Sequence, residues 1–478
     1  MSNTTQLSAR ERITTLLDGN SFVEIGALVT KRSTDFNLEQ KDVPNDGVIT
    51  GYGLIDGKPV YVYSQDSSSL GGSIGEMHAK KIAHVYDLAL KIGAPVIGLI
   101  DSTGMRLQEA TDALNGLGVI YQKQVMASGV IPQISAIFGN CGGGQAVMAS
   151  LSDFLFIENK NARLFLQTPD SLQGNYKQKL DTSSADYNSK YGTVDYVGST
   201  DVEVLNKIRE LINVLPSNNE DDGCFTECND DLNRILPEFA NELEDTKRAI
   251  IDISDNNYFF ETKSQYAKEM VTGFIRLNGV TVGAIANRTK ILDDTGKVIE
   301  NFDSTLSTDG CKKASAFVRF CDAFQIPILT LTNVSGYKAD VDEEKTIAKA
   351  AAELTYAFAD ATVAKVNLVI GKAYGSAYIN MNSKHIGCDY VFALPDAQIG
   401  MMDAKLAAQI MYDGEKDEVI NEKASEYASL QNGALSAARR GYVDNIIEPD
   451  TVRKHLIYAF EMLFTKTEAR PVRKHGSF

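Results

Sequence analysis

The sequence predicts an α/β protein built from two copies of one domain. Two observations lead there. A series of landmarks recurs in the same order along the chain, and within each copy short apolar β runs alternate with stretches of helical periodicity. With 478 residues the chain has length for two or three domains and for a sizeable core.

The repeat is collinear. Asp18 to Glu24 (DGNSFVE) returns as Asp255 to Glu261 (DNNYFFE), and Thr50 and Gly51 followed by Gly57 return as Thr272 and Gly273 followed by Gly279. Lys80 and Lys81, Pro95, Gly104 and Gly139 return as Lys312 and Lys313, Pro327, Gly336 and Gly371, all at the single offset 312 − 80 = 232. Gly192 to Asp195 (GTVD) closes the series as Gly441 to Asp444 (GYVD). Two unrelated α/β domains would match in isolated pairs of residues, not in an ordered series. The boundary is expected at 236/237, giving domains 1–236 and 237–478. The Asn-, Asp- and Glu-rich stretch from Pro216 to Asp245 reads as the connection.

Each element of the unit follows from its residues. Val60 to Tyr63 and Val282 to Ile285 are β runs. Ile82, Val85 and Ala89, and later Ala314, Phe317, Val318 and Cys321, keep the spacing of one helix face. Those helices end at Gly93 and near Gln325. A proline follows each, then a strand, 95–100 and 327–331. A second strand, 133–138 or 366–370, runs into a loop of small residues, and a helix is allowed from Ala146 and from Ile379 onward. Strand, helix, strand, helix implies parallel pairing.

Charge and cysteine content narrow the function. There are 47 Lys and Arg against 63 Asp and Glu, a net charge of −16, with no basic run to offset it. Such a field repels phosphate backbones, so a nucleic-acid partner is not expected. The six cysteines (141, 224, 228, 311, 321 and 388) contain no C-x-x-C pair, which suits a reducing compartment. Cys224 and Cys228 are the nearest two and lack the His or second thiol pair that a zinc site needs. Met1 to Arg12 is too polar for a signal peptide, and no apolar run reaches the roughly 20 residues of a membrane span. The cytoplasm is the expected location.

The residues with chemical promise are glycines. Gly139 to Ala146 (GNCGGGQA) and Gly371 to Tyr378 (GKAYGSAY) end the same strand in each copy. Small side chains there let a ligand approach the backbone. If a helix follows, its first N–H groups have no intrahelical partner, and two such donors on a carbonyl oxygen form an oxyanion hole for a thioester enolate. Close packing of helix on strand is the competing explanation, and the duplicated placement favours function. Gly71 to Gly75 (GGSIG) also fits the nucleophile-elbow pattern around Ser73, with His385 as a conceivable base that no spacing selects. There is no dinucleotide fingerprint and no P-loop. His78, His84, His385, His455 and His475 have no metal-ligand spacing and are expected at the surface or at helix ends.

Several motifs in order resemble one family. They are Ala9 to Ile13 (ARERI), Asp46 to Gly51 (DGVITG), Gly71 to Gly75, Ala94 to Ile97 (APVI), Arg106 to Glu109 (RLQE), Phe317 to Asp322 (FVRFCD) and Ala438 to Tyr442 (ARRGY). Together they resemble the carboxyltransferase subunit of biotin-dependent acyl-CoA carboxylases, of the propionyl-CoA carboxylase beta type, over nearly the whole chain. The resemblance implies two crotonase-like domains, each a ββα superhelix, with a dimer as catalytic unit and a hexamer as the assembly. It implies that the N-terminal domain binds acyl-CoA, with Gly143 and Gly144 holding the thioester oxygen and Gly71, Gly72, Gly104, Met105 and Arg106 contributing to the substrate site. It implies that the C-terminal domain binds carboxybiotin, with Ser376 and Ala377 holding the ureido oxygen beside Tyr374, Gly375 and Ile379. The internal repeat instead selects Gly375 and Ser376, one residue earlier. The implied proton transfer uses no histidine.

Departures from the family pattern bear on specificity. Thr103 and Met105 stand in a stretch, Asp101 to Arg106, where the family has smaller residues; Lys349 to Ala351 replaces a frequent Arg-His-Gly; Ile379 stands where propionyl-type members often have Asp. The chain lacks a biotin-attachment sequence and an ATP-binding loop. The resemblance therefore implies a separate biotin carboxyl carrier protein and a biotin carboxylase subunit. The alternative is the alpha component of a sodium-pumping decarboxylase. A thioester hydrolase using Ser73, or an inactive scaffold, are further alternatives.

Overall fold

The computed structural model describes residues 6–32, 43–221, 225–473 and 476; Cys224 and His475 lie outside them. The chain forms two compact units, Met1–Cys224 and Phe225–Phe478. In the first, strands β1 (Val23–Ile25), β2 (Val48–Ile55), β3 (Lys58–Gln65), β4 (Val96–Ser102), β5 (Gln133–Gly142), β6 (Phe154–Glu158), β7 (Arg163–Phe165) and β8 (Tyr196–Gly198) build one sheet. Its order is β1-β2-β3-β4-β5-β6-β8, with β7 paired to the far end of β5.

In the second unit the strands are β9 (Phe260–Thr262), β10 (Met270–Leu277), β11 (Val280–Asn287), β12 (Lys290–Leu292), β13 (Val298–Asn301), β14 (Thr305–Leu306), β15 (Ile328–Val334), β16 (Gly336–Tyr337), β17 (Lys365–Tyr374), β18 (Tyr390–Ala393), β19 (Gln398–Gly400) and β20 (Asn445–Ile446). The main sheet reads β9-β10-β11-β15-β17-β18-β20, with β19 on the end of β17. Strand for strand this is the first sheet again. The first three strands are antiparallel and the rest parallel in both. The extra β12–β13 and β14–β16 pairs belong to the second unit. The central strands β4 and β15 are buried almost throughout, as strands covered on both faces must be.

The recurring landmarks have physical causes. Gly51 and Gly273 lie where the neighbouring strand passes so close that a Cβ would stand 2.3 Å from the carbonyl oxygen of Val23 or of Phe260. The carboxylate of Asp18 accepts the amides of Asp56 and Gly57, and that of Asp255 accepts those of Asn278 and Gly279, fixing the β2–β3 and β10–β11 turns. Asp195 and Asp444 each accept the amide that opens the next repeat of pairing, from Leu155 and Val391. Lys81 and Lys313 are buried and donate into carbonyls of the segments that lead into β2 and β10: Asn45 and Val48 in one case, Lys263, Tyr266 and Ala267 in the other.

The helices behave as their periodicity predicts. Glu76–Ile92 buries Ile82, Val85 and Ala89 and ends on Gly93 in the left-handed region, φ 66°. Thr308–Ala323 buries Ala314, Val318 and Cys321 fully, with Phe317 beside them. The boundary between the two units falls inside the stretch 216–245 expected to connect them, and the later part of that stretch is no free tether: Leu236 and Phe239 are buried in the second unit's core. Before it, Asn218 and Asn219 are tied to Gly93 and Val130 in the first. The glycine run after β5 is not a loop either. The strand continues to Gly142, because β7 supplies a new partner beyond the point where β6 ends, and β17 likewise runs to Tyr374 along β19 beyond the end of β18. No helix among the described residues is long and apolar enough to cross a membrane.

Candidate active site

The two glycine runs form the same turn. Gly143 (φ 59°, ψ −132°) follows β5 and the helix Gly144–Ser150 begins; Gly375 (φ 60°) follows β17 and opens the helix Gly375–Ile379. The second helix therefore ends at Ile379, where the sequence suggested a start. Both glycines have a left-handed φ that disfavours a side chain. Around Gly143 a Cβ would meet nothing within 4 Å, so the face of the turn is open; at Gly375 it would stand 3.1 Å from the Met401 oxygen. The neighbouring Gly139 and Gly371 keep room for the side chains of Asp101 and Asn333, which end β4 and β15 in the two units.

Amide accounting separates the residues of the expected pair. The Gly143 N–H donates to the Phe165 oxygen at 3.0 Å, continuing the β5–β7 ladder. The amides next in line are those of Gly144 and Gln145, at the first two helical positions, where no carbonyl lies one turn back. At the offset of 232 fixed by Gly143 and Gly375, these correspond to Ser376 and Ala377 (144 + 232 and 145 + 232). The position of the turn thus aligns Ser376 and Ala377, rather than Gly375 and Ser376, with the open amides of the first unit. Tyr121 Oη donates to the Gly144 oxygen and fixes the turn from behind.

Around Gly144 the structure gathers most of the residues expected there. Gly71 and Gly72 both have positive φ and lie against the segment after β4: the Thr103 amide donates to the Gly71 oxygen, and Ile74 and Met105 form a parallel bridge. A Cβ on Gly72 would come within 2.4 Å of the Asp101 oxygen. Gly104 donates to Ser102 Oγ, which also accepts from the buried Gln145 at 2.7 Å, so the 102–105 segment and the turn are one piece. Met105 and Thr103 are exposed on it. Sequence reasoning passed over Gln145; its position directly after the glycines is the signal that marks it.

Arg106 is placed beneath this surface. Its guanidinium is buried and bound to Asp46 Oδ1, Glu109 Oε1 (2.8 Å), the Ser73 oxygen (2.8 Å) and Ser73 Oγ (3.3 Å). Burial raises the Asp46 carboxyl despite this partner. Ser73 is thus held by a cation, not a base, and the turn at Gly71–Ser73 is a tight 3-10 turn rather than a strand-to-helix elbow. His78 corrects the expectation of a surface residue. It is fully buried, Nδ1 facing the Asp46 oxygen at 3.0 Å and Nε2 facing Gln65 at 3.3 Å, and desolvation holds its pKa down to about 3. A ring so enclosed serves packing. His385 stacks on Tyr442 (4.9 Å), and burial lowers its pKa.

In the second unit Tyr374, Gly375, Ser376, Ala377 and Ile379 form one continuous turn. Tyr374 Oη donates to Gln398 on β19, Ser376 is exposed and Ala377 is buried. Lys349 is exposed while Ala350 and Ala351 are buried in the helix Ile347–Asp360. Among the described residues no group of three or more His, Cys, Asp or Glu is placed to hold a metal ion.

The chain matches the family described as the carboxyl transferase domain over residues 3–478. It is 39% identical to the propionyl-CoA carboxylase beta chain of Roseobacter denitrificans, across 99% of this chain and 93% of the relative. The methylmalonyl-CoA decarboxylase subunit alpha of Propionigenium modestum is 39% identical with the same coverage. A solved structure of transcarboxylase 12S, a hexamer with methylmalonyl-coenzyme A bound, superposes with a TM-score of 0.91 at 35% identity, covering 99% of this chain and 92% of the other. With the duplicated sheet, the duplicated turn and near-complete coverage all agreeing, the chain belongs to the carboxyl transferase family, the crotonase-fold carboxyltransferases of biotin-dependent acyl-CoA enzymes.

Proposed function

We propose that this chain is the carboxyltransferase component of a biotin-dependent acyl-CoA carboxylase, moving a carboxyl group between carboxybiotin on a separate carrier and the α-carbon of a short or medium acyl-CoA. The observation that carries the reading is the turn built once per unit, a strand end, a left-handed glycine and open amides, at Gly143 and Gly375. The first unit takes the acyl-CoA. Its thioester oxygen sits over the open face of Gly143 and accepts from the Gly144 amide, with Gly71, Gly72, Gly104 and Met105 lining the approach. Hydrogen bonds that tighten as the oxygen gains charge lower the barrier to enolate formation.

The second unit takes the biotin end. The ureido oxygen accepts from the amides of Ser376 and Ala377 at the start of the short helix, where Ser376 is exposed, with Tyr374, Gly375 and Ile379 beside it. Bound carboxybiotin supplies the carboxyl group and a ureido nitrogen able to accept the α-proton. The protein's part is to orient both groups and to hold charge at the amides, and no histidine need move a proton. A biotin carboxyl carrier protein and a biotin carboxylase subunit complete the reaction. The assembly is a homo-oligomer with a dimer as catalytic unit and the cytoplasm as its place; overall it is a hexamer, as the solved transcarboxylase 12S is.

The purified chain with free biotin and methylmalonyl-CoA or malonyl-CoA provides the test. Biotin-dependent loss of the CoA ester's carboxyl group supports the reading; no such turnover, with free biotin or a biotinylated carrier, refutes it. The Propionigenium relative favours one second reading, the alpha component of a decarboxylase, which native purification with a membrane-bound partner subunit would establish. Hydrolysis through Ser73 would show as CoA release abolished by Ser73→Ala. A scaffold would bind no CoA.

A further inference from the structure

The two units carry the same turn but support it differently: Tyr121 and the Gln145–Ser102 hydrogen bond hold the first, and a longer chain of polar side chains holds the second. Thr355 Oγ donates to Asn380 Oδ1 at 2.7 Å, Asn380 Nδ2 donates to Tyr337 Oη at 2.8 Å, and Tyr337 Oη donates to Ser376 Oγ at 3.2 Å. Asn380 is 6% exposed, so its amide is held with little competition from water. The single Thr355 hydroxyl hydrogen is shared between Asn380 Oδ1 and the Ala351 oxygen of its own helix, 2.8 Å away. Tyr337 arrives on β16, whose pairing with β14 (Leu306 opposite Tyr337) fixes its backbone independently of the turn.

At the offset of 232, Tyr337, Asn380 and Ser376 correspond to Met105, Met148 and Gly144 in the first unit. There the Ile74–Met105 bridge repeats the Leu306–Tyr337 pairing, so the backbone frame is common to both units. The polar chain is not. The first unit holds the same turn through Tyr121 and the Gln145–Ser102 pair instead, so the fold does not require this particular set of side chains. The relay runs from part-buried Thr355 and Tyr337 through buried Asn380 and ends at exposed Ser376 Oγ, beside the residue's own amide.

Resting on the carboxybiotin assignment above, we propose that Tyr337 and Asn380 are positioning residues for carboxyl transfer. They act by holding Ser376, and with it the Gly375–Ala377 turn, in the arrangement that receives the ureido oxygen. With Tyr337 donating to Ser376 Oγ, the serine hydroxyl keeps its own proton for a ligand.

The full-length chain is assayed with free biotin and methylmalonyl-CoA as wild type, Tyr337→Phe, Ser376→Ala and the double variant. Loss of one net hydrogen bond predicts about a fivefold fall in kcat/KM for biotin in Tyr337→Phe. The KM for methylmalonyl-CoA stays at the wild-type value, because that ester belongs to the other unit. Ser376→Ala falls at least as far, and the double variant falls no further than Ser376→Ala alone, since Tyr337 acts only through Ser376. Losses that multiply in the double variant, a wild-type rate for Tyr337→Phe, or a change in the KM for methylmalonyl-CoA would each overturn the proposal. If the wild type shows no biotin-dependent turnover, the carboxyltransfer reading itself fails, and amide hydrogen exchange judges the relay. Residues 375–380 must then exchange faster in Tyr337→Phe, and unchanged exchange overturns the relay as well.

Discussion

Replacing Gly144 by proline and, separately, by alanine separates the role of one N–H from the role of the space around it. Both substitutions place a Cβ about 2.6 Å from Leu117 Cδ2 and 3.0 Å from Tyr121 Oη. Ordinary carbon contacts begin near 3.5 Å, so both variants overpack the same pocket at about 1–3 kcal/mol, relieved in part by rotation of Leu117. Only proline removes the amide hydrogen. The first helical position tolerates proline, since its N–H has no intrahelical carbonyl to lose. An oxyanion-hole donor is worth about 10²–10³ in rate, or roughly 2.7–4 kcal/mol. The expected outcome is that Gly144→Ala and Gly144→Pro have similar melting temperatures and oligomeric states, while biotin-dependent decarboxylation of methylmalonyl-CoA is at least tenfold slower in the proline variant than in the alanine variant. Equal rates in the two folded variants would refute the assignment of the Gly144 amide to the thioester oxygen.

Gly143 tests backbone rather than contact: at φ 59° and ψ −132° any side chain is strained although the space is open, so Gly143→Val should lower stability by about 1–3 kcal/mol, read by denaturant unfolding. His78 gives a pH signature. Its folded pKa, about 3, lies below the unfolded value near 6.5, so its contribution is full above pH 6.5 and is lost as the pH falls toward 3. The stability gap between wild type and His78→Gln should therefore shrink from pH 7 to pH 4.5, and a constant gap would contradict a neutral buried ring. Lys313 gives another. Burial depresses its pKa to about 7 from 10.5, so the unfolded chain binds the extra proton between those values and the group's contribution grows as the pH rises. Wild type should gain on Lys313→Met between pH 7 and pH 9.5, measured by urea midpoints.

The sequence by itself determined the duplication, the strands and the helices, because these depend on residues near one another. Apolar runs of strand length at 60–63, 95–100 and 133–138 and the spacing of Ile82, Val85 and Ala89 report local burial, and each has its counterpart in the second half. The glycine turns were legible for the same reason, since a backbone such as that of Gly143, φ 59° with ψ −132°, strongly favours glycine. What tertiary structure decided is which polar groups have partners. Whether the Gly143 amide is open depends on the Phe165 carbonyl, brought alongside by β7, and no periodicity near Gly143 reports that strand. His78 lies on the buried face of its own helix, but its enclosure by Asp46 and Gln65 comes from residues before and within the β2–β3 hairpin. Arg106 is quoted readily from a motif, yet besides the nearby Glu109 its charge is met by Asp46, far back in the sequence, and it lies under the surface. The side-chain relay to Ser376 joins residues at 337, 355 and 380 that share no local pattern. Hydrogen bonding is satisfied in space, between groups whose separation along the chain is unrelated to their distance, and so it is read from the fold and not from the sequence.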